Sequence, residues 1–319
     1  MTTRRKSFMS AAREMTREIN KNRMIYVLMI PGLVWYLLFS YMPLGGLSLA
    51  FKEYKANLGI LNSPWVGFIN YSYLFRDPAF WRSIWKTVYI NLGRMLFQFP
   101  VPILMALLIN EFRPRTYKRV LQTLFTFPHF LSWVIVSGIV LNFFSIKGFI
   151  NQIIIIFGGE AVNFLSVPSI FIPLLYFIDD WKYAGYGSII YLAAISGIDP
   201  GLYEAADIDG AGRMQKLVHI TIPGIISTIA IMTILTTGAL MSMGFDQIFN
   251  MSNPIVKDSV EVLDLYIYRL TFQQAPDFSY STAVSLFRSI VNMLLLLGAN
   301  KISRLLGGGG LIGQNGSVE

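Results

Sequence analysis

Residues 204–223 read EAADIDGAGRMQKLVHITIP, a polar stretch held between two long apolar blocks. Just upstream, Asp199 is placed to cap a helix and Pro200 to occupy its first turn, where a missing N–H costs nothing. That helix runs through Tyr203, Glu204, Ala205 and Ala206. The two alanines give it a low profile that another chain can approach closely, and Glu204 offers a carboxylate to a basic partner. Gly210 permits a reversal that other residues resist. A second short helix, about 211–219, carries Arg213, Lys216 and His219. Ile220 and Ile222 return to apolar surroundings, and Pro223 opens the next apolar block in a tolerated first-turn position. The expected object is a helix–turn–helix lying at a membrane face and joined rigidly to the apolar block on each side.

Composition supplies the membrane. Of the 319 residues, 54% are hydrophobic and 14% charged, with a mean hydropathy of +0.53. The charged share is about half that of soluble domains, whose surfaces need charge. An ordinary soluble domain is excluded, and an all-α polytopic membrane protein is indicated. The net charge is +8. In such a protein, excess Lys and Arg belongs first to cytoplasmic loops, not to a nucleic-acid surface. There is no cysteine, hence no disulfide framework and no thiolate metal site.

A spanning helix needs about 20 mostly apolar residues. Six segments qualify, at about 25–50, 87–109, 120–144, 168–196, 223–245 and 281–302. The apolar run from Met24 is much longer than a signal-peptide core and is expected to stay as the first span. An even number of spans puts both termini on one side. That side collects 15 Lys/Arg, among them Arg4, Arg5, Lys6, Arg13, Arg17, Arg113, Arg213 and Lys216; the loops 52–86, 145–167 and 246–280 collect 8. The positive-inside rule then places both termini and the 197–223 loop in the cytoplasm. The partition expected is a basic segment 1–23, one membrane domain 24–305 and a flexible glycine-rich tail 306–319. The 52–86 loop is rich in Trp, Tyr and Phe and is expected to fold. Residues 149–157 are apolar but too short to span.

The spacing E-A-A-x3-G-x9-I-x-[LI]-P in 204–223 resembles the coupling loop of ABC importer permeases. The likeness extends to Asp180-Trp181-Lys182, Ile198-Asp199-Pro200 and Tyr203 through Ala211, which look like the carbohydrate type, similar to the maltose-transporter membrane subunits. Pro31-Gly32, Tyr41-Met42-Pro43 and Trp65 through Tyr71 look like the branch serving oligosaccharides and polysaccharide fragments. Ile222 departs from the usual Leu, apolar for apolar. The resemblance implies a type I importer permease fold with six transmembrane helices in a bacterial cell membrane. It also implies a second homologous permease (a heterodimer), two ATPase subunits and an extracellular solute-binding protein. ATP and Mg would sit on the ATPase, with no cofactor on this chain. The residues it implies for ATPase coupling are Glu204, Ala205, Ala206, Asp209, Gly210, Ile220 and Pro223. A phosphate-cradling G-x4-G-K-[ST] loop is absent from the sequence, which places ATP hydrolysis on another polypeptide.

Ionisable groups within a span are costly and face a cavity or a partner. Asp179, Asp180 and Lys182, with Trp181, Tyr183 and Tyr186, are therefore candidates for a polar path that stacks sugar rings and binds hydroxyls. A local Asp–Lys pair with core aromatics is the alternative. Arg94, Arg288 and Asp246 carry the same ambiguity between path and structure. His129 and His219 suit structural roles, and no catalytic or metal-binding set is expected. Two rivals remain: an ABC permease for another solute, and an ATP-independent secondary transporter. The latter predicts inverted repeats and matched broken helices, neither of which is clear in the sequence.

Overall fold

The computed structural model describes residues 18, 21–112, 114–273, 275–305, 307, 310 and 311. Arg4, Arg5, Lys6, Arg13, Arg17, Arg113 and most of the glycine-rich tail lie outside the described residues. The described chain is helical, and its contacts divide it into two units: residues 1–71 with 278–283, and 72–277 with 284–319.

The first unit begins with α1 (Arg23–Tyr36), which continues through a wide turn, Leu37–Tyr41, into a tight helix, Met42–Phe51. The run Arg23–Phe51 is long and apolar enough to cross a membrane. The following segment folds back on its own start. The Lys52 amine donates to the carbonyls of Ile60 and Leu61, both at 2.9 Å, and lies 4.9 Å from the Trp65 ring centre. The Asn70 amide donates to the carbonyls of Ala50 and Lys52, both at 3.0 Å. Phe51, Phe68 and Tyr71 pack ring against ring. The expected aromatic loop is therefore built around two buried polar side chains that satisfy backbone carbonyls.

The helices that follow are α2 (Ile69–Arg76), α3 (Pro78–Gln98), α4 (Pro100–Glu111), α5 (Arg115–Thr126), α6 (Trp133–Phe144), α7 (Phe149–Ile156) and α8 (Pro168–Ser196). After them come α9 (Pro200–Ile208), α10 (Arg213–Lys216), α11 (Ile222–Gly238), α12 (Phe245–Met251), α13 (Lys257–Val260), α14 (Leu263–Tyr268) and α15 (Phe278–Leu305). Local chemistry sets several starts. The Asp77 side chain accepts from the Ala79 N–H at 2.8 Å, with Pro78 in the first turn of α3. Ser132 caps α6 through the Ile135 N–H. Pro100 separates α3 from α4, since proline supplies no N–H to the preceding turn.

Among the described residues, five stretches are long and apolar enough to cross a membrane: Arg23–Phe51, Pro78–Glu111, Trp133–Ile156, Arg213–Gly238 and Phe278–Leu305. The 29-residue α8 is long enough too, but Asp179, Asp180 and Lys182 fall near its middle and lower its apolar character. The third expected span, 120–144, is not one helix. It breaks after Thr126 into a tight turn, Phe127–Phe130, before α6 resumes at Trp133. Pro128 sits in that break. The fifth expected span ends at Gly238, earlier than 245, and a second turn, Leu240–Ser242, leads to α12.

α8 is the axis of the second unit. Toward its N-terminus, Phe171, Leu174, Leu175 and Ile178 pack with Ile90 of α3, Val136 and Val140 of α6, and Ile248 of α12. Toward its C-terminus, Tyr191, Leu192 and Ile195 pack with Ala106 and Ile109 of α4 and Ile225 of α11. In lipid such contacts are held by close packing, because lipid tails are as apolar as the side chains. Gly185 shows how close the approach is. A Cβ built there would lie 2.0 Å from the Phe125 carbonyl oxygen of α5. Gly185→Ala is expected to destabilise the chain by about 1–3 kcal/mol through overpacking, read as a lower thermal midpoint in detergent. An unchanged midpoint would show that α5 and α8 do not meet at that distance.

Candidate functional site

The 197–223 segment forms two short helices joined by a left-handed turn. The Asp199 carboxylate accepts from the Gly201 N–H at 2.9 Å, and Pro200 occupies the first turn of α9. Gly210 has φ +74°, a conformation open chiefly to glycine. The Ala211 N–H reaches back to the Ala206 carbonyl at 2.9 Å, and the Gly210 N–H to that of Asp207 at 3.2 Å. α10 starts where the Gln215 side chain accepts from the Gly212 N–H at 2.7 Å. It is shorter than the helix expected over 211–219, because Leu217–Thr221 widens into a five-residue turn that runs on into α11.

Two contacts close the pair of helices into one body. Lys216 forms an ion pair with Asp207 across the turn, and the hydroxyls of Tyr203 and Thr221 lie 2.9 Å apart. Glu204, Ala205, Asp209 and Gly210 are exposed, Ala206 and Ile220 half-buried, and Pro223 exposed at the start of α11. Glu204 has no ion-pair partner among the described residues. Ile208 is 87% and Met214 70% exposed, with Leu202 and Val218 also exposed. A polar connection that leaves four large apolar side chains in the open is suited to covering by another chain.

The charged residues of α8 fall between its two apolar clusters. Asp179 is buried and lies 3.7 Å from Nε of the buried Arg94 on α3. Arg94 also donates to Gln247 Oε1 on α12 at 2.7 Å, and Gln247 donates to the Leu175 carbonyl at 2.7 Å. Lys182 is buried too, and its amine donates to the carbonyls of Pro128, His129 and Leu131 at 3.2, 2.8 and 2.6 Å. Those carbonyls belong to the break between α5 and α6, so a lysine from α8 satisfies the backbone that the break releases. Asp179 pairs with Arg94, and Lys182 with backbone; the local Asp–Lys pair considered above does not form. Arg288 of α15 forms an ion pair with Asp264 of α14.

Asp180, Trp181, Tyr183 and Tyr186 are divided between two cavities that share Asp180. Trp181 is 44% exposed. With Asp180, Phe97, Tyr176 and Phe177 it lines a cavity of about 520 Å³. Asp180 also borders a second cavity of about 260 Å³ with Gln98, Tyr183, Tyr186 and Thr236. Tyr183 accepts from the Trp133 indole N–H at 3.0 Å. Tyr186 stacks parallel on His129 with 3.9 Å between ring centres. Asp246, exposed in the first turn of α12, and Arg288 line neither cavity. His219 lies apart, its Nδ1 2.9 Å from the Gln215 carbonyl.

Known proteins resemble this chain in sequence and in fold. The family described as "Binding-protein-dependent transport system inner membrane component" matches residues 98–303. Protein LplB of Bacillus subtilis (strain 168) is 41% identical over 287 residues, covering 90% of each chain. The polygalacturonan/rhamnogalacturonan transport system permease protein YteP of the same organism is 40% identical, covering 91% of each. A chain from the crystal structure of a bacterial ABC transporter involved in the import of the acidic polysaccharide alginate superposes with a TM-score of 0.83 at 37% identity, over 92% of this chain and 99% of that one. A second structure of that kind, in complex with an alginate pentasaccharide-bound periplasmic protein, superposes equally well.

Proposed function

The chain belongs to the binding-protein-dependent transport system inner membrane component family, and from that premise we propose that it is the permease subunit of an ABC importer for an oligosaccharide or polysaccharide fragment. The observation that carries the reading is the exposed α9–α10 connection, which carries Glu204 together with the exposed apolar side chains of Leu202, Ile208 and Met214. On this reading the face lies in the cytoplasm and a separate ATPase covers it. The Lys216–Asp207 pair and the Tyr203–Thr221 contact make the two short helices a rigid lever. α9 follows α8 after a single short connection, and α10 runs on into α11. Movement of the docked ATPase therefore tilts both long helices together, and a two-state path opens alternately to either side.

The carbohydrate assignment draws on the relatives named above and on the aromatic lining around Asp180, Trp181 and Tyr186. Those three residues, with Tyr183, are the proposed path. Asp179 and Lys182 hold helices that shape it, whereas Arg288 joins α15 to α14, neither of which lines the two cavities. A homologous permease completes the path, and an extracellular binding protein delivers the sugar.

The absence of cysteine gives a direct test. Ile208→Cys places a single thiol on the exposed face. In inside-out vesicles it is expected to react with a membrane-impermeant maleimide, to be shielded when the ATPase is bound, and to cross-link to it. Reaction only from the extracellular side, or no cross-link to a nucleotide-hydrolysing subunit in the assembled complex, would overturn the assignment.

A further inference from the structure

A second polar site lies away from α8. A cavity of about 610 Å³ opens between the first turns of α3 and the α13–α14 region, lined by Arg82, Lys86, Lys257, Asp258, Glu261 and Arg269. Its size is that of a small-molecule site. Arg82 and Lys86 stand one helical turn apart and so share a face of α3. Arg269 is neutralised in place: its Nε donates to Glu261 Oε1 at 2.7 Å, and a second nitrogen lies 3.4 Å from Oε2. The Lys86 amine donates to the Asp258 backbone carbonyl, which leaves its charge uncompensated. Arg82 and Lys257 form no ion pair among the described residues. Three cations thus face one remaining carboxylate, that of Asp258. Like charges gathered in one concavity repel each other and raise the local concentration of anions.

The neighbouring cavity supplies the other half of a recognition surface. It measures about 270 Å³, shares Lys257, Glu261 and Arg269 with the first, and adds Phe249 and Tyr268. Those two rings meet edge to face at 5.0 Å, and Phe245 stacks on Phe249 at 5.4 Å. An aromatic platform takes the apolar face of a sugar ring. A cationic pocket beside it takes a carboxylate.

We infer that these joined cavities bind an anionic oligosaccharide of the uronate class, with its rings on Phe249 and Tyr268 and its carboxylates at Arg82, Lys86 and Lys257. The inference rests on the carbohydrate reading and on the placement of the 52–86 and 246–280 segments outside the membrane. The site then receives the sugar as it leaves the binding protein, before it enters the path at α8. It favours charged over neutral saccharides at that step.

The probe is trigalacturonate, with its carboxyl-reduced neutral counterpart as control. Binding is measured on the assembled membrane complex in nanodiscs with the binding protein omitted. The expected result is saturable trigalacturonate binding that weakens as ionic strength rises to about 0.3 M, through screening of exposed charges. Arg82→Gln with Lys257→Gln should raise Kd about tenfold or more, a change of about 1.4 kcal/mol. The charge-keeping pair Arg82→Lys with Lys257→Arg should stay near the wild-type value. The neutral trisaccharide should bind about tenfold more weakly. Absence of saturable binding, equal affinity for the neutral sugar, or an unaltered Kd in the double glutamine variant would each overturn the site. A variant complex that fails to assemble is replaced by single Arg82→Gln, read in the same way. Failure of this binding with the Ile208 cross-link intact removes the site alone. Failure of the cross-link with binding intact removes the coupling assignment instead.

Discussion

Gly210→Pro is expected to abolish stimulation of the ATPase by loaded binding protein while leaving the chain inserted in the membrane. Gly210 holds φ +74°, whereas proline is fixed near −65°. The substitution also removes the N–H that reaches the Asp207 carbonyl at 3.2 Å. The turn must therefore open. The Lys216–Asp207 pair and the Tyr203–Thr221 contact, which depend on the reversal, separate with it. The local cost is about 3 kcal/mol or more, and it falls on an exposed connection, so the packing of α8 and α11 is spared. In proteoliposomes holding the whole complex, stimulated ATP hydrolysis is expected to drop at least about tenfold, which corresponds to about 1.4 kcal/mol of lost coupling. Gly210→Asn is the control, since asparagine visits the left-handed region at modest cost, and it should keep most of the coupling. Wild-type stimulation by the proline variant would show that the α9–α10 body does not transmit the movement.

The readability of this loop and the opacity of α8 have one explanation. Asp199, Pro200 and Gly210 act within a few residues of themselves, by capping, by a fixed φ and by a left-handed turn. Their consequences can be worked out from the neighbouring letters alone. The apolar blocks were legible for the same reason, since length and hydropathy are local properties. The breaks at Pro128 and Pro100 carry a local signal as well, because a proline within a span interrupts the backbone ladder, but hydropathy, which sets the expected spans 87–109 and 120–144, does not register it. The partners of Asp179 and Lys182 were not legible. Three adjacent-looking charges suggested a local pair or a path, but Lys182 reaches carbonyls more than fifty positions upstream, and Asp179 meets Arg94 on another helix. Arg82, Lys86 and Lys257 form a cavity only because α13 is brought beside α3. Arg82 and Lys86 fall in the expected 52–86 loop, and they share a helix face only because α3 starts as early as Pro78.

The buried pair offers the sharpest separation of structural from transport roles. Arg94 and Asp179 are both nearly inaccessible, and Arg94 also holds Gln247, which in turn binds the Leu175 carbonyl. Arg94→Met leaves Asp179 as a buried charge with no ion-pair partner and frees Gln247 from its donor. Breaking a buried pair on one side costs about 3–5 kcal/mol, enough to deplete folded chain from the membrane. Replacing both partners, Arg94→Met with Asp179→Leu, removes the stranded charge as well as the attraction. Such exchanges by apolar residues are often close to neutral, so the double variant is expected to recover about half or more of the lost stability. Thermal midpoints of the four proteins in a double-mutant cycle measure this directly. Uptake separates the two roles. If the pair only fixes α3, α8 and α12, the double variant transports once it folds. A double variant that reaches wild-type stability and assembly yet moves no sugar would place Arg94 and Asp179 in the path itself, and the polar centre of α8 would then have to be read as a single substrate-facing surface with Asp180 and Trp181.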